Sequence, residues 1–499
     1  MNNRRVIIIG AGISGLSAGS YLQMNGYDTE IFELHSLPGG LCTAWKRGEY
    51  TFDGCIHWLV GSNPTDPFYS LWSELVDMTA LSFVEPEEAL RVESEDGRYI
   101  RVFSNIDKME EEMLSKAPAD TEIIRRFANA ARKFININPP IEKAIETRSF
   151  LGKAMMLLRF LPYMKQMKYW MGMTGRDLAL QCSDPLLRKT FESMFIPEMA
   201  ALFLVFTQTW RHRRSAGYPI GGSLNFARKI EEAYIRLGGR INYKARVARI
   251  IVEKDAATGI QLENGEAHPS DVVVSAADGH DTIYGMLEGK YLSDEIRRYY
   301  EHAKVFPSYI QVSLGIARPL DGMPNAVIFP LETPIRTDDT HTRGQIGARI
   351  FSFDPTMAPE GKTVITVILP TNNHSYWETL RRENKEAYLA EKERIAEEVI
   401  AALDRRFGDI RRHIEEKDVS TPATVIRYTN NWKGSLEGWI LTPAIGFSQM
   451  KKVLPGLQNF YMAGQWVEPG GGIPTALVSG RNVAQIICKK DGVKFSGNG

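Results

Sequence analysis

The sequence predicts an α/β protein whose N-terminal strand lies in a parallel sheet, and three observations support this fold class. Val6–Ile9 is an apolar, β-branched run, which is typical of a strand buried on both faces of such a sheet. A Gly-rich turn follows directly, and residues 16–25 then have the composition of a helix that ends at Gly26. A second strand is predicted at 29–33. The order strand, turn, helix, strand is that of a βαβ unit.

The turn has the glycine spacing of a dinucleotide-binding unit. Gly10 permits the tight turn, Gly12 lets the backbone approach a pyrophosphate, and Gly15 lets the helix pack on the strand. The start of the helix, which includes Ser14, presents free N–H groups to phosphates. Glu33 ends the second strand, where a carboxylate can accept hydrogen bonds from an adenosine ribose. Because strand, helix and acid are in register, we predict a Rossmann-type nucleotide site rather than an empty turn.

The segment after the acid favours FAD over NAD as the nucleotide. Gly39 and Gly40 give a second close approach of backbone to the cofactor, which a long, bent FAD needs more than NAD does. The sequence has no second GxGxxG, and Cys42 and Cys55 are too far apart for a redox CxxC pair. These absences disfavour an NAD(P)H-linked disulfide reductase.

The motifs resemble the flavin-containing amine oxidase and phytoene desaturase superfamily. The run from Glu33 through Gly40 carries this resemblance. The branch of carotenoid isomerases and retinol saturases is similar to this sequence at 39–43, 52–58, 218–223 and 271–278, and in the last forty residues. The resemblance implies a glutathione-reductase-like FAD-binding domain of Rossmann type, a second α+β substrate domain and a helical lid.

The same resemblance implies a chain that passes back and forth between two domains. The FAD-binding domain is expected to comprise 1–105, 215–289 and 421–499. The substrate domain is expected to comprise 106–214, which includes the helical lid, and 290–420.

The C-terminal segment is predicted to close the cofactor site. Residues 459–464 predict a strand, and 470–476 open a helix that runs to Cys488. A helix start points N–H groups and positive dipole at what lies before it, which in the resembling family is the flavin pyrimidine. The family usually has Asp where this sequence has an amide, which can still donate and accept hydrogen bonds. The resemblance therefore implies cofactor contacts at Gly464, Gln465, Gly472, Ile473 and Ala476.

Four further cofactor contacts are expected at Leu41, Ile56, His57 and Val247. In the family, the strand that contains Val247 returns to the FAD-binding domain near the adenine. A plain core valine is the alternative, because apolar strand residues are mostly core. His57 falls in the family's Ile-His position and is the candidate catalytic residue, able to donate a hydrogen bond or a proton near the isoalloxazine. A structural histidine is the alternative.

Residues 153–173 combine methionine and aromatic side chains with Lys153, Arg159, Lys165 and Lys168. Flexible thioethers suit a surface that accepts a long lipophilic chain, and basic residues beside aromatics suit lipid headgroups. We therefore expect an interfacial lid with peripheral membrane contact. An ordinary amphipathic lid or core helix is the alternative.

Composition limits the partners and the compartment. Sixty basic and sixty acidic residues leave no net charge to attract nucleic acid. The four scattered cysteines predict neither a disulfide framework nor a metal site, and none between Cys182 and Cys488 is available to tether the flavin, so FAD is expected to be non-covalent. The uncharged stretch 199–210 is too short to span a bilayer. We expect a cytoplasmic protein that contacts the inner face of a membrane.

Three functions follow from this reasoning. The leading one is an FAD-dependent oxidoreductase that desaturates, saturates or isomerises carbon–carbon bonds of a lipophilic polyene or isoprenoid-like substrate. The first alternative is an amine oxidase of the same fold, with an aromatic cage drawn from Trp432, Trp439 and Trp466. The second is a flavin-binding protein without turnover. The substrate, the direction of electron flow and the electron acceptor remain open.

Overall fold

The computed structural model describes residues 4–448 and 450–497. The strands are, in chain order, β1 (Arg5–Ile9), β2 (Asp28–Phe32), β3 (Ala44–Arg47), β4 (Tyr50–Asp53), β5 (Leu59–Val60), β6 (Phe83–Val84), β7 (Glu88–Glu93), β8 (Tyr99–Phe103), β9 (Ala216–Pro219), β10 (Arg240–Asn242), β11 (Val247–Glu253), β12 (Ala256–Leu262), β13 (Ala267–Pro269), β14 (Val272–Ser275), β15 (Ser308–Ile316), β16 (Ala326–Arg336), β17 (Thr342–Ile350), β18 (Thr363–Thr371), β19 (Ile414–Ser420) and β20 (Phe460–Met462).

The helices are, in chain order, α1 (Ile13–Met24), α2 (Pro67–Ser73), α3 (Ile106–Lys116), α4 (Thr121–Lys133), α5 (Phe150–Phe160), α6 (Met164–Met171), α7 (Gly175–Ala179), α8 (Pro185–Ser193), α9 (Ala201–His212), α10 (Gly222–Arg236), α11 (Asp294–His302), α12 (His374–Glu383), α13 (Lys385–Phe407), α14 (Pro422–Thr429) and α15 (Ile473–Lys490).

The N-terminal strand lies in the middle of a parallel sheet with the order β10-β2-β1-β14-β20. Val6 and Ile8 pack into the cluster formed with α1, α10 and α15, whereas Ile7 and Ile9 pack against residues of β11 and β12. All four side chains are at most 4% exposed. The predicted α/β fold class, with an apolar strand covered on both faces, is therefore confirmed.

Helix α1 is fixed against this sheet by close contacts that require glycine. A Cβ atom at Gly480 of α15 would lie 2.3 Å from the carbonyl oxygen of Ser14, so the two helices touch backbone to backbone. At Gly19 an added Cβ would lie 2.6 Å from the ring of Tyr234 on α10. Burying Leu16 and Leu22 completely contributes about 1.5–3 kcal/mol each. The first and last helices thus hold the turn at residues 10–12 in one position.

A second, larger sheet has the order β19-β15-β18-β17-β16-β7-β8 and is antiparallel except where β16 pairs with β7. Helix α13 covers one face, where Ile395, Val399 and Leu403 join the strand residues in one apolar cluster. Strands β7 and β8 belong to this sheet, although the predicted first segment, 1–105, placed them in the FAD-binding domain. Strand β7 pairs with β16, which comes much later in the chain, and this pairing joins β7 and β8 to the larger sheet.

Residues 106–205 supply most of a separate helical core, which packs against β7 and β8. Within the described residues, no helix is long and apolar enough to cross a bilayer. The uncharged stretch at 199–210 forms most of α9, and its side chains are largely buried inside the protein.

Candidate active site

A cleft with an empty volume of about 1170 Å³ opens at the carboxyl ends of β1, β2, β14 and β20. In open parallel sheets, ligands bind at this edge where the strand order reverses, which here is the border between β1 and β14. The cleft brings together thirteen of the predicted site residues: Gly10, Gly12, Ser14, Glu33, Gly39, Gly40, Leu41, Val247, Gly464, Gln465, Gly472, Ile473 and Ala476.

The turn between β1 and α1 is built from glycines with different tasks. Gly10 has φ +97°, a conformation that side chains rarely adopt. A Cβ at Gly15 would lie 2.0 Å from the carbonyl oxygen of Gly10, so only glycine lets the helix start against the turn. Gly15 therefore lies beneath the cleft rather than on its wall, as expected of the packing glycine.

Gly12 shows that the cleft fits a phosphate group. Its φ of −66° is ordinary for any residue, and the nearest atom to an added Cβ is the carbonyl oxygen of Gly39, 4.0 Å away. Neither backbone strain nor packing within the protein requires glycine here. Gly12 also caps α1 without a side-chain hydrogen bond, so the first N–H groups of the helix face the cleft. Space and donors together fit a pyrophosphate.

Glu33 lies beside this turn with its carboxylate partly engaged. Its Oε2 accepts the backbone N–H of Ala11 at 2.6 Å, and its Oε1 accepts that of His35 at 2.7 Å. Burial raises the pKa of Glu33, and these two N–H groups lower it in part. Each oxygen keeps a further lone pair, which can accept a ribose hydroxyl.

The start of α15 forms the opposite end of the cleft. Gly472 caps this helix without a side-chain hydrogen bond, and Ile473 and Ala476 line the wall. Gln465 occupies the position where an aspartate is usual, and its Nε2 donates to Oδ1 of Asn431 at 2.9 Å. Its side-chain oxygen is therefore the group that remains for a ligand.

Besides Gly15, two predicted site residues lie outside the cleft. The backbone N–H of Ile56 donates to Oγ of Ser223 at 2.7 Å, and the Ile56 side chain is buried in the core. His57 lines a second cavity with an empty volume of about 1330 Å³. The two cavities adjoin, because Leu436 lines both and Cys55, two residues before His57, lines the first.

The second cavity lies between β16–β18, α9 and the loops around residues 58, 86 and 195. Its wall is mostly aliphatic and aromatic. His57 is accessible from this cavity, yet the surrounding protein desolvates the ring and lowers its pKa to about 3, with a smaller contribution from the charge of Arg349. The ring is thus neutral at physiological pH and can donate or accept a hydrogen bond without carrying a charge.

Comparison with known proteins identifies the family. The model of the flavin containing amine oxidoreductases matches residues 13–488. The chain belongs to this family. Family membership confirms the resemblance inferred from the motifs, and the protein is an FAD-dependent oxidoreductase.

Relatives of this flavin-containing amine oxidoreductase include enzymes named for carotenoids. Prolycopene isomerase 1 of an Oncidium hybrid cultivar is 25% identical, with 98% of this chain and 84% of the relative aligned. The 4,4'-diapophytoene desaturase of a Methylomonas species is 26% identical over 99% of this chain and 97% of the relative.

Solved structures share the fold at low sequence identity. Cyclohexylamine oxidase from Brevibacterium oxydans IH-35A superposes with a TM-score of 0.61 at 14% identity, covering 98% of this chain and all of that one. An oxidoreductase from Methanosarcina mazei gives 0.58 at 16% identity, covering 96% and 99%.

Several residues of this family member's clefts were not predicted from the sequence. Glu437 lines the first cleft, which we call the FAD cleft for the cofactor expected there. Burial raises the pKa of Glu437 to about 8 against a weaker opposing effect from the Gly472 N–H. Burial also raises the pKa of Asp278 to about 7, although it accepts the N–H groups of Asp281 and Trp432. No motif marks Glu437, whereas Asp278 ends the segment 271–278 that carries the family resemblance but was given no role there. Only the folded chain brings the Glu437 carboxyl beside the glycines at 470–472.

Cys42 and Cys55, whose spacing in the sequence is unsuited to a redox pair, both line the FAD cleft. All four cysteines are free thiols. The neighbouring Cys55 thiol and burial hold the pKa of Cys42 well above its usual range, so Cys42 stays protonated.

The three tryptophans considered for an aromatic cage do not line the second cavity in the described part of the chain. Trp439 and Trp466 are at most 2% exposed and pack edge to face, 5.2 Å between ring centroids. Trp432 packs against both and stacks on His280. These rings form a core cluster, and only Trp466 also reaches the wall of the FAD cleft.

Proposed function

We propose that the protein acts on carbon–carbon bonds of a lipophilic polyene or isoprenoid-like substrate, by desaturation, saturation or cis/trans isomerisation. The observation that carries this proposal is the second cavity, which adjoins the FAD cleft and is walled mainly by apolar side chains such as Phe195, Ile328 and Ile368. A substrate without heteroatoms along its length is held by such a wall through burial alone. The names of the aligned relatives, prolycopene isomerases and desaturases, support the same substrate class.

The chain's own residues would hold FAD along the first cleft. The free N–H groups at the start of α1 would bind the pyrophosphate beside Gly12, and Glu33 would accept the hydroxyls of the adenosine ribose. The start of α15, with Gly472, would face the pyrimidine end, and Gln465 would contact the ribityl chain through its side-chain oxygen. Val247 would contact the adenine.

When bound, FAD supplies hydride exchange with a substrate carbon. The apolar wall of the second cavity excludes water from that exchange. His57, kept neutral because the surrounding protein desolvates its ring, would position the substrate or the isoalloxazine edge through a hydrogen bond rather than act as an acid.

Charge in the second cavity argues against the amine oxidase alternative. Within the described residues its lining contains Arg211 and Arg349 and no carboxylate, which disfavours an ammonium group. Of the three tryptophans that could have formed an amine cage, only Trp466 lines the FAD cleft, while Trp432 and Trp439 pack in the core cluster and do not line it. A flavin-binding protein without turnover would have no need of a large cavity beside the cofactor.

Anaerobic flavin bleaching tests this function. We expect a liposome-dispersed polyene to reduce the bound flavin, or reduced enzyme to isomerise or saturate that polyene, whereas benzylamine and putrescine leave the flavin oxidised. Rapid bleaching by either amine would establish the first alternative. No change in flavin or polyene under any of these conditions would establish the second.

We infer that α5 and α6 form a lid that rests on a bilayer. Helix α5 has no buried residue, and Phe150, Leu151 and Leu158 are 86%, 72% and 65% exposed. Apolar area of this kind on a single helix marks a binding surface. Lys165 and Lys168 are exposed beside it, which suits an anionic headgroup layer. This surface supports peripheral contact of a cytoplasmic protein with the inner face of a membrane.

Flotation with anionic liposomes tests the lid. Lys165→Glu combined with Lys168→Glu should weaken binding by about 1 kcal/mol per lysine lost, and Phe150→Ser with Leu151→Ser should weaken it even with neutral lipid. The matched control is Lys46→Glu with Lys385→Glu, which changes equal charge elsewhere on the surface. Equal flotation of all variants, or none by the parent, would rule the lid out.

We also propose that the chain alternates between the two domains expected from the resemblance. The pairing of β10, β14 and β20 with β1 and β2 supports FAD-binding segments at 215–289 and 421–499. The pairing of β7 and β8 with β16 supports ending the first FAD-binding segment near residue 87.

A further inference from the structure

Two arginines face the second cavity without an acidic partner. Arg211 lies in the last turn of α9 and is 8% exposed, and Arg349 lies on β17. The Nη1 of Arg211 and the Nε of Arg349 are buried and have no hydrogen-bond partner among the described residues. Neither side chain forms an ion pair there, and no aspartate or glutamate is part of the cavity lining.

Both guanidinium groups are charged at physiological pH. Burial and the charge of Arg349 lower the pKa of Arg211, but only to about 10. Burial lowers the pKa of Arg349, and the nearby Tyr218 and Asp53 oppose that change. The cavity therefore holds two like charges in a mostly apolar wall, an arrangement that is unfavourable unless an anion completes it.

The protein supplies contacts that orient these groups but do not neutralise them. The Cζ of Arg211 lies 5.1 Å from the ring centroid of Trp58. Arg349 lies 5.4 Å from the ring centroid of Tyr218, and its Nη2 donates to the backbone oxygen of His57 at 2.6 Å. A stacked guanidinium keeps its N–H edge free for a planar acceptor.

The charge of Asp53 raises the pKa of Arg349, but both carboxylate oxygens of Asp53 already accept hydrogen bonds from other groups. Its Oδ1 accepts the Ser223 hydroxyl at 2.5 Å and the Cys55 N–H at 3.0 Å. Its Oδ2 accepts the Ser223 N–H at 2.7 Å and the Tyr218 hydroxyl at 3.3 Å. Asp53 stabilises the strand end that leads to His57 and does not line the cavity.

We propose that Arg211 and Arg349 bind the carboxylate end of an amphiphilic substrate whose apolar chain fills the rest of the second cavity. A pure hydrocarbon would leave both charges unpaired, whereas a carboxylate matches the fork of an arginine and removes that mismatch. Arg211 sits at the C-terminal end of α9, where the helix dipole is negative, which favours a monoanion over a dianionic phosphate. The inference deepens the proposed function, because it names the end group of the lipophilic substrate.

Equilibrium dialysis of the FAD-loaded protein with three matched probes tests the proposal: retinoic acid, retinol and retinyl phosphate. We expect the carboxylate to bind at least about tenfold more tightly than the alcohol, and more tightly than the phosphate. Arg211→Gln and Arg349→Gln should each weaken retinoic acid about 10- to 100-fold and change retinol less than about twofold. Arg211→Lys and Arg349→Lys should give intermediate losses, because they keep the charge without the fork.

The matched control is Arg343→Gln, on the same strand as Arg349 but outside the cavity, where its Nε donates to the Pro370 oxygen. It should leave all three affinities unchanged. Equal binding of acid and alcohol by the parent would overturn the proposal without any variant. Equal loss of both ligands in the glutamine variants would also overturn it, since that indicates a structural role. Tighter binding of the phosphate would overturn the carboxylate assignment. Flavin bleaching and polyene conversion are measured separately. Selective binding of the acid with no change in flavin or polyene would therefore contradict the proposed reaction and leave the anion site standing.

Discussion

The two adjoining cavities differ in what builds them. The FAD cleft is built around six glycines, at residues 10, 12, 39, 40, 464 and 472, and around the starts of α1 and α15. The second cavity is made of side chains from β16–β18, α9 and three loops, with the two arginines among them. A site for a constant cofactor can be encoded in local turns, whereas a site for a particular substrate depends on which distant side chains the fold brings together.

The largest expected effect is a loss of FAD binding when a glycine of the FAD cleft is replaced. Gly12→Val should abolish FAD binding, because the new side chain would occupy the space left open beside Gly39, while its φ of −66° lets the chain fold. Flavin absorbance per mole of purified protein measures the loss. Gly344→Val is the control, since nothing lies within 4 Å of an added Cβ there. Full flavin content in Gly12→Val would contradict the proposed pyrophosphate position.

A smaller loss is expected from the side chain that assists the same cleft. Glu33→Ala should weaken FAD by roughly 1.5–3 kcal/mol, the scale of hydrogen bonds to a charged group. Titration of apoprotein with FAD measures it. Glu30→Ala, on the strand β2 that leads to Glu33 but paired with Arg5 at 2.7 Å outside the cleft, should bind FAD as the parent does. Identical affinities for the two variants would remove Glu33 from the site.

Glu437 offers a test of the same cleft through stability. Its pKa of about 8 in the folded protein exceeds its ordinary value of 4.5, so the unfolded chain releases this proton first as pH rises. Stability is therefore lost between about pH 4.5 and 8. In FAD-free protein, Glu437→Gln should raise Tm by about 2 to 4 °C near pH 9 and by nothing near pH 4, as thermal scans would show. A pH-independent difference would contradict the burial of this carboxyl.

The smallest expected effect belongs to the second cavity. Because desolvation by the surrounding protein and the charge of Arg349 lower the pKa of His57 to about 3, its ring is neutral above about pH 4, and turnover should show no inflection near the ordinary histidine value of 6.5. The ratio of His57→Gln to parent activity should stay constant between about pH 5.5 and 8. An inflection that disappears in His57→Gln would make this histidine a proton donor after all.

The two cavities also differ in how much of each could be predicted from the sequence. The βαβ unit, its glycines and Glu33 lie within about thirty residues, so spacing predicted a nucleotide site there. The resemblance added the contacts at Val247 and at 464–476, and thirteen of the predicted residues line one cleft. Ile56 and His57 were expected at the same cleft because they follow a flavin-family motif, yet the chain turns between Cys55 and His57 from one cavity to the next. Arg211 and Arg349 were not predicted, since nothing in spacing relates a helix end to a distant strand.

The sequence by itself determined the parallel sheet and the turn at residues 10–15, because both depend on short-range periodicity, on glycine conformations and on helix starts that are encoded locally. The family followed from the resemblance of its motifs, which the family model confirms. The tertiary structure alone placed β7 and β8 in the large sheet and raised the pKa of Glu437. It also brought Arg211 and Arg349, neither of which has an acidic partner among the described residues, to the wall of one cavity. These properties depend on long-range pairing and on burial, which arise only when segments far apart in the chain exclude water from one another.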